Sequence, residues 1–229
     1  SQAVGMGADV FSARPDLLGS AADEVLGWSL SELCSTGPES ELVRTDRAQP
    51  ALYAVAYALW EAFAVRMGEP PMGAAGHSLG EYTALAASGS LDYLDGLRLV
   101  SARGSAMAKA TDSASGSMAA VMGADLDTLE AIVSAQREQG AQVWVANVNA
   151  PGQTVVAGSD ESIASLADYA RDLGLRRVIP LNVAGAFHTP LMAQASEELR
   201  TALDGVEFLS GDFPVWSNLE ARPATNVPD

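Results

Sequence analysis

The sequence predicts an α/β fold in which a small β-α-β-β-α-β unit is inserted into a larger one. Two patterns carry that prediction. The stretch GAAGHSLGEYTALAA, Gly73 to Ala87, runs from small residues through G-x-S-x-G into an alanine-rich helix, the setting of a sharp strand-to-helix turn. Between 117 and 183, short alternating runs and amphipathic runs follow one another as strand, helix, strand, strand, helix, strand. Composition permits a full core: 48% of the 229 residues are hydrophobic and 18% charged, which suits one or two domains of roughly 150 residues each.

Taken in order, the first third reads as helices with polar connections, at Pro15 to Leu26 and Ser29 to Cys34, followed by a long apolar helix from Gln49 to Met67. Pro50 fits the first turn of that helix, where its missing N–H costs nothing. Met72 to Ala75 is a short buried strand, and Thr83 to Ser88 is a helix ended by Gly89. Leu91 to Ala110 is a further helix, with Leu94, Leu97 and Val100 at core spacing. The inserted unit begins with the strand Ser117 to Met122 and the helix Asp125 to Gln139. The strands Gln142 to Val148 and Thr154 to Ala157 flank a turn at Asn149-Ala150-Pro151-Gly152, with Asn147 and Asn149 as turn formers. The helix Asp160 to Leu173, closed by Gly174, and the strand Arg176 to Val183 complete the order of a ferredoxin-like domain. That assigns 117–180 to the small subdomain and leaves 1–116 and 181–229 to the large one. A last helix is expected from Leu191 to Leu203.

Several function classes are excluded by composition. Thirteen basic against 29 acidic residues give a net charge of −16, which argues against nucleic acid as a partner because phosphate contacts need a basic footprint. No apolar run reaches the ~18–20 residues of a membrane span, and no signal-peptide pattern opens the chain, so a cytoplasmic location is expected. The single cysteine, Cys34, rules out an internal disulfide and a cysteine-based metal cage. No metal site is expected.

The chemistry gathers at the elbow. In Gly76-His77-Ser78-Leu79-Gly80 the serine occupies the turn itself, and its hydroxyl stands at a helix N-terminus where unpaired N–H groups can receive developing negative charge. A serine hydroxyl needs a base to take its proton, and the chain holds two histidines. His77 adjoins Ser78 and so points elsewhere on a sharp turn; packing or hydrogen bonding beneath the turn is its expected role. His188, in the loop GAFHTPLM after a strand, is the histidine left to act as base. Arg103, in LVSARG, is either a surface arginine or a guanidinium fork for a substrate carboxylate. Gln49 is, on its own, a polar residue at a helix start.

GHSLGEYTALAASGSLD, LVSARGSAM, ANVNAPGQTVVAGS, AFHTPLM and PVWSNLEARP together resemble the malonyl-CoA:acyl carrier protein transacylases, a family that includes fatty-acid enzymes and polyketide synthase acyltransferase domains. The resemblance covers nearly the whole chain in order. It implies an α/β-hydrolase-like large subdomain with an inserted ferredoxin-like small one, and acyl transfer from coenzyme A to the phosphopantetheine thiol of an acyl carrier protein. By the same resemblance Ser78 is the acylated nucleophile and His188 its base, the imidazole being oriented by a backbone or amide oxygen. Arg103 pairs with the malonyl carboxylate, Gln49 lies beside that pocket, and the Leu79 N–H is an oxyanion donor. Ala186-Phe187-His188 with Leu79 after the serine is the pattern that accompanies malonyl selection, since Phe187 would crowd an α-methyl group. No cofactor is implied, coenzyme A thioester being substrate; the partners are malonyl-CoA and a carrier protein, for which Arg171, Arg176 and Arg177 are candidate docking residues. A strand leading into Gly-Gln-Gly is expected before Ser1, and further helices and a strand after Arg222, so that the large subdomain is expected to be incomplete at both ends. Two alternatives remain open: an acyl hydrolase on the same Ser-His pair, which has no need of a carboxylate clamp, and a non-catalytic carrier-docking module.

Overall fold

The structure, a computed structural model, describes residues 2–113, 115–183 and 185–224. The chain divides into two compact units, Ser1–Ser105 with Glu198–Asp229, and Ala106–Glu197. The insert expected over 117–180 lies wholly within the second.

In the first unit, short helices α1 (Ala8–Ala13), α2 (Pro15–Leu18), α3 (Ser20–Leu26), α4 (Leu30–Thr36) and α5 (Glu39–Leu42) precede the long α6 (Thr45–Met67). Where one helix was expected from Pro15 to Leu26, the structure has two. A side chain at Gly19 would press on the Pro15 carbonyl, at 2.5 Å, and the backbone there (φ −100°, ψ −137°) leaves the helical region. The long helix also starts a turn earlier than predicted. Pro50 therefore lies inside it rather than in its first turn, and α6 forgoes one intrahelical bond at that point. The core of this unit is small-residued: Ala51, Ala54 and Ala58 of α6 are buried beside Leu18, Leu30, Cys34 and Leu42. Tyr53, Tyr57 and Tyr93 stack through it, with centroids 5.7 Å apart for Tyr53–Tyr93 and 4.8 Å for Tyr57–Tyr93. The hydroxyls of the two buried rings are satisfied, Tyr53 donating to Tyr93 O at 3.1 Å and Tyr93 to Leu17 O at 2.9 Å, as buried polar groups require.

The elbow strand is present as β1 (Ala74–Ala75), followed by α7 (Gly80–Ala87) and α8 (Tyr93–Ser113), whose residues 93–105 belong to this unit. β1 is two residues shorter than expected and not buried, Met72 before it being fully in solvent. β1 pairs in parallel with a strand from the far end of the chain, Ala74 opposite Val215 and Ala75 opposite Trp216.

The second unit holds a four-stranded antiparallel sheet from β2 (Ser117–Met122), β3 (Val143–Ala150), β4 (Gln153–Gly158) and β5 (Arg177–Pro180), with helices α9 (Leu126–Glu138) and α10 (Asp160–Asp168). The strand order is β3-β4-β2-β5, the arrangement of a ferredoxin-like domain. Alternation along the strands sorts the residues. Ala119, Val121 and Val156 pack with Leu129, Val133, Ile163 and Leu166 of the helices, while Met118, Val155 and Ala157 pack with Ala186. Two local expectations fail. The helix expected from Asp160 to Leu173 ends at Asp168, the residues from 169 to 174 being turns. Asn147 and Asn149 are not in a turn but within β3, where two irregularities between Val145 and Ala150 stretch the strand's pairing with β4. Pro151 and Gly152 alone make the turn, Gly152 taking φ 73°. A 3₁₀ turn at Pro190–Met192 leads into α11 (Ala193–Leu203), so the last helix starts two residues later than predicted. The closing strand, β6 (Val215–Trp216), is the one paired with β1.

Candidate active site

Ser78 sits at φ 51°, a left-handed conformation that side chains other than glycine seldom adopt. The flanking glycines play unequal parts. A Cβ on Gly76 would overlap the Gly80 backbone, whereas one on Gly80 would meet nothing within 4 Å. Gly76 is thus the residue that lets the strand end and the helix start touch. The turn closes with Gly80 N–H donating to His77 O at 2.9 Å and Glu81 N–H to Ser78 O at 3.2 Å. Leu79 caps α7, so its N–H lies in the first turn and has no intrahelical acceptor. His77 is exposed, so it does not pack beneath the turn, the first of the two roles expected of it.

Arg103 on α8 reaches this hydroxyl. Its Nη2 donates to Ser78 Oγ at 2.9 Å and its Nη1 to Gln49 Oε1. Gln49, 6% exposed, donates in turn from Nε2 to Thr45 Oγ1 at 2.7 Å. The neighbour of Arg103 explains the approach. Gly104 lies against the start of α6, and a Cβ there would stand 2.8 Å from Thr45 O, so α8 rests directly on the backbone that carries Gln49. Arg103 is therefore no surface arginine. Burial pulls its guanidinium below the ordinary value, though an arginine stays cationic at any neutral pH. Among the described residues no carboxylate pairs with it, and both hydrogen bonds go to uncharged groups. A part-buried cation with neutral partners is poised for an anion.

Sequence reasoning passed over Asn218. It follows β6 as the elbow follows β1, accepts the Ser78 N–H at 3.0 Å and donates to the Gly76 carbonyl at 2.7 Å. The signal available beforehand was faint: an asparagine 140 residues from the serine.

In the second unit, His188 is exposed and stands at φ 61°. The turn around it is pinned by its neighbour: buried Thr189 donates to Ala186 O at 2.6 Å and caps the 3₁₀ turn by accepting from Leu191 N–H at 3.3 Å. Phe187, partly buried, packs among Ala106, Ala110 and Met192 on one side and Met118, Val155 and Ala157 on the other. Among the described residues three non-glycine positions have positive φ, namely Ser78, His188 and Ala221. Two of the three are the pair singled out for chemistry, and backbone strain of this kind gathers at functional sites. No group of three or more His, Cys, Asp or Glu able to hold a metal occurs among the described residues, and none of their helices is long and apolar enough to cross a membrane.

Comparison with known proteins bears directly on this arrangement. A family model described as the acyl transferase domain matches residues 1–227. The chain belongs to the acyl transferase domain family. Among relatives, it is 39% identical to the malonyl CoA-acyl carrier protein transacylase of Bacillus subtilis, over 100% of this chain and 73% of that protein. It is 40% identical to a polyketide biosynthesis malonyl CoA-acyl carrier protein transacylase of Bacillus velezensis, over 97% of this chain and 75% of that one. A solved complex of a malonyl-transacylase with its type II polyketide acyl-carrier protein superposes with a TM-score of 0.89 at 36% identity, covering 98% of this chain and 73% of that one. An acyl carrier protein S-malonyltransferase from Vibrio cholerae matches with the same TM-score and identity over 99% and 74%. The fold of this acyl transferase domain is thus the two-part α/β fold expected of it.

Proposed function

We infer that this acyl transferase moves a malonyl group from coenzyme A to the phosphopantetheine thiol of an acyl carrier protein through an acyl-Ser78 intermediate. The observation that carries the reading is Arg103: a cation 2.9 Å from the nucleophilic hydroxyl, with no carboxylate opposite it among the described residues. The malonyl carboxylate would take over the guanidinium bonds now made to Ser78 Oγ and Gln49, placing the thioester carbonyl at the elbow. Ser78 Oγ then attacks that carbonyl as His188 accepts its proton, and the oxyanion is met by the Leu79 N–H. Collapse breaks the C–S bond, and the coenzyme A thiolate leaves with the proton from the imidazolium. In the second half the carrier thiol gives its proton to His188 and attacks the acyl-serine, and the serine oxygen regains the proton as it leaves. No cofactor enters these steps.

A hydrolase on the same pair would have no use for a carboxylate clamp, and the relatives named above are transacylases. Phe187 is assigned to malonyl selection. Its ring is wedged between two apolar clusters, so it cannot easily yield to an α-methyl group, a discrimination worth ~1–3 kcal/mol. The exposed Arg171, Arg176 and Arg177 are assigned to carrier docking. A cytoplasmic location belongs to the same reading, since its substrates are a coenzyme A thioester and a carrier protein.

Intact-mass spectrometry after mixing with malonyl-CoA tests the reading. A malonyl adduct is expected on Ser78, absent from Ser78→Ala, and formed roughly 10²–10⁴-fold more slowly by His188→Ala. An adduct on another residue, or acylation of His188→Ala at the wild-type rate, would overturn it.

A further inference from the structure

The elbow carries a second set of bonds that the transfer steps do not use. Because β1 and β6 are parallel neighbours, the segments that follow them leave the same edge side by side, Gly76-His77-Ser78 from one and Ser217-Asn218 from the other. Asn218 bridges the gap. Its Oδ1 accepts from Ser78 N–H at 3.0 Å, and its Nδ2 donates both to Gly76 O, at 2.7 Å, and to a Glu81 carboxylate oxygen. Glu81, in the first turn of α7, also accepts the Asn218 backbone N–H at 3.2 Å. One side chain thus holds the residue two before the serine, the serine itself and, through Glu81, the helix three residues after it.

The chemistry of this bridge is demanding. It needs one acceptor and two donors from a short planar group, which a primary amide has and a carboxylate lacks. The neighbours dictate its orientation: a flipped amide would set NH₂ against the Ser78 N–H, and oxygen against both the Gly76 carbonyl and the Glu81 carboxylate. The Ser78 N–H is also thereby engaged, so it is not the group that faces a developing oxyanion.

We propose that Asn218, oriented by Glu81, is a positioning residue that holds Ser78 in its left-handed conformation, aims its Oγ, and leaves the Leu79 N–H as this unit's oxyanion donor. The proposal rests on the reading of Ser78 as the acyl acceptor. Asn218 touches no reacting atom. It acts through the elbow, so its loss should slow acylation without loosening the Arg103–Gln49 clamp that receives the carboxylate.

The test uses the full-length protein, with quench-flow mass spectrometry of malonyl-Ser78 formation beside steady-state kcat and KM. Asn218→Ala should slow acylation and kcat by about 10²-fold, the scale of a small misplacement of reacting groups, and leave the KM for malonyl-CoA within about twofold. Asn218→Asp keeps the shape but sets two carboxylates together, and should lose as much. Adding Glu81→Gln to it supplies an amide donor to the new carboxylate and should recover about tenfold or more over Asn218→Asp; Glu81→Gln alone should cost less than Asn218→Asp. Should Asn218→Ala fail to fold, the isosteric Asn218→Asp and its double variant decide. A wild-type acylation rate in Asn218→Ala, a loss confined to KM, or no recovery in the double variant overturns the brace alone. A wild-type protein that forms no Ser78 adduct overturns the acyl-serine reading and the brace with it.

Discussion

At Arg103 a single residue decides between reaction classes. Its guanidinium bridges Ser78 Oγ and Gln49 Oε1, so a carboxylate bound as proposed would compete for donors now held by the hydroxyl assigned as nucleophile. Arg103→Ala should therefore depress acylation by malonyl-CoA about 10- to 100-fold, the equivalent of losing hydrogen bonds to a charged group worth roughly 1.5–3 kcal/mol. Acylation by acetyl-CoA should fall far less, since no buried cation is then left unpaired beside a neutral acyl group. Parallel single-turnover assays with the two thioesters check this, and an unchanged ratio would mean that Arg103 holds no carboxylate. The residue was visible in the sequence as LVSARG, but whether it faced solvent or the serine was not. That choice is made by Gly104, whose missing side chain lets α8 settle on Thr45 and Asp46.

At the scale of the element, the elbow depends on one close approach. Gly76→Ala should disrupt it, because the new methyl would overlap the Gly80 backbone; a cost of roughly 1–3 kcal/mol or more and loss of acylation are expected. Gly80→Ala should change stability by less than about 1 kcal/mol, in the stabilising direction, since the methyl meets open space at the start of a helix. Thermal melting of the two variants side by side separates them. G-x-S-x-G shows both glycines as equals; the asymmetry between them comes from the path of the chain. The same limit explains the misread helices. Periodicity runs through Gly19 and sets the start of α6 at Gln49, but apolar spacing does not register that a side chain at Gly19 would press on the Pro15 carbonyl, or that Arg47 and Ala48 already donate to Arg44 O.

For the whole molecule, burial of acidic protons sets a limit at high pH. Desolvation holds the Cys34 thiol up at about 11 and the Tyr57 hydroxyl at about 12, and pushes Tyr53 and Tyr93 up as well. Unfolding returns these groups to water, where the thiol titrates near ~8.5 and the phenols near ~10. The folded state then binds more protons than the unfolded one, so stability falls as pH rises. It should be fully present below pH ~8.5, decline from there, and fall more steeply above pH ~10. Urea midpoints from pH 7 to 11 check the trend, and Tyr57→Phe should flatten its upper part. A midpoint constant across that range would show that the tyrosine stack is open to water.

The sequence by itself determined the elbow, the ferredoxin-like order of the inserted unit and the catalytic candidates Ser78 and His188. These rest on short-range signals: a glycine-framed serine, alternation with period two, and a search confined to two histidines. The family followed from motifs strung along the chain in order. Only the tertiary structure decided that Arg103 reaches Ser78, that His77 faces outward, and that Asn218 and Glu81 clasp the turn from behind. Each of those outcomes depends on elements distant in sequence meeting at fixed spacing, as when parallel pairing of β1 with β6 sets residues 140 positions apart within 3.0 Å. Hydrogen bonds act over about 3 Å, and the chain must fold before such distances exist.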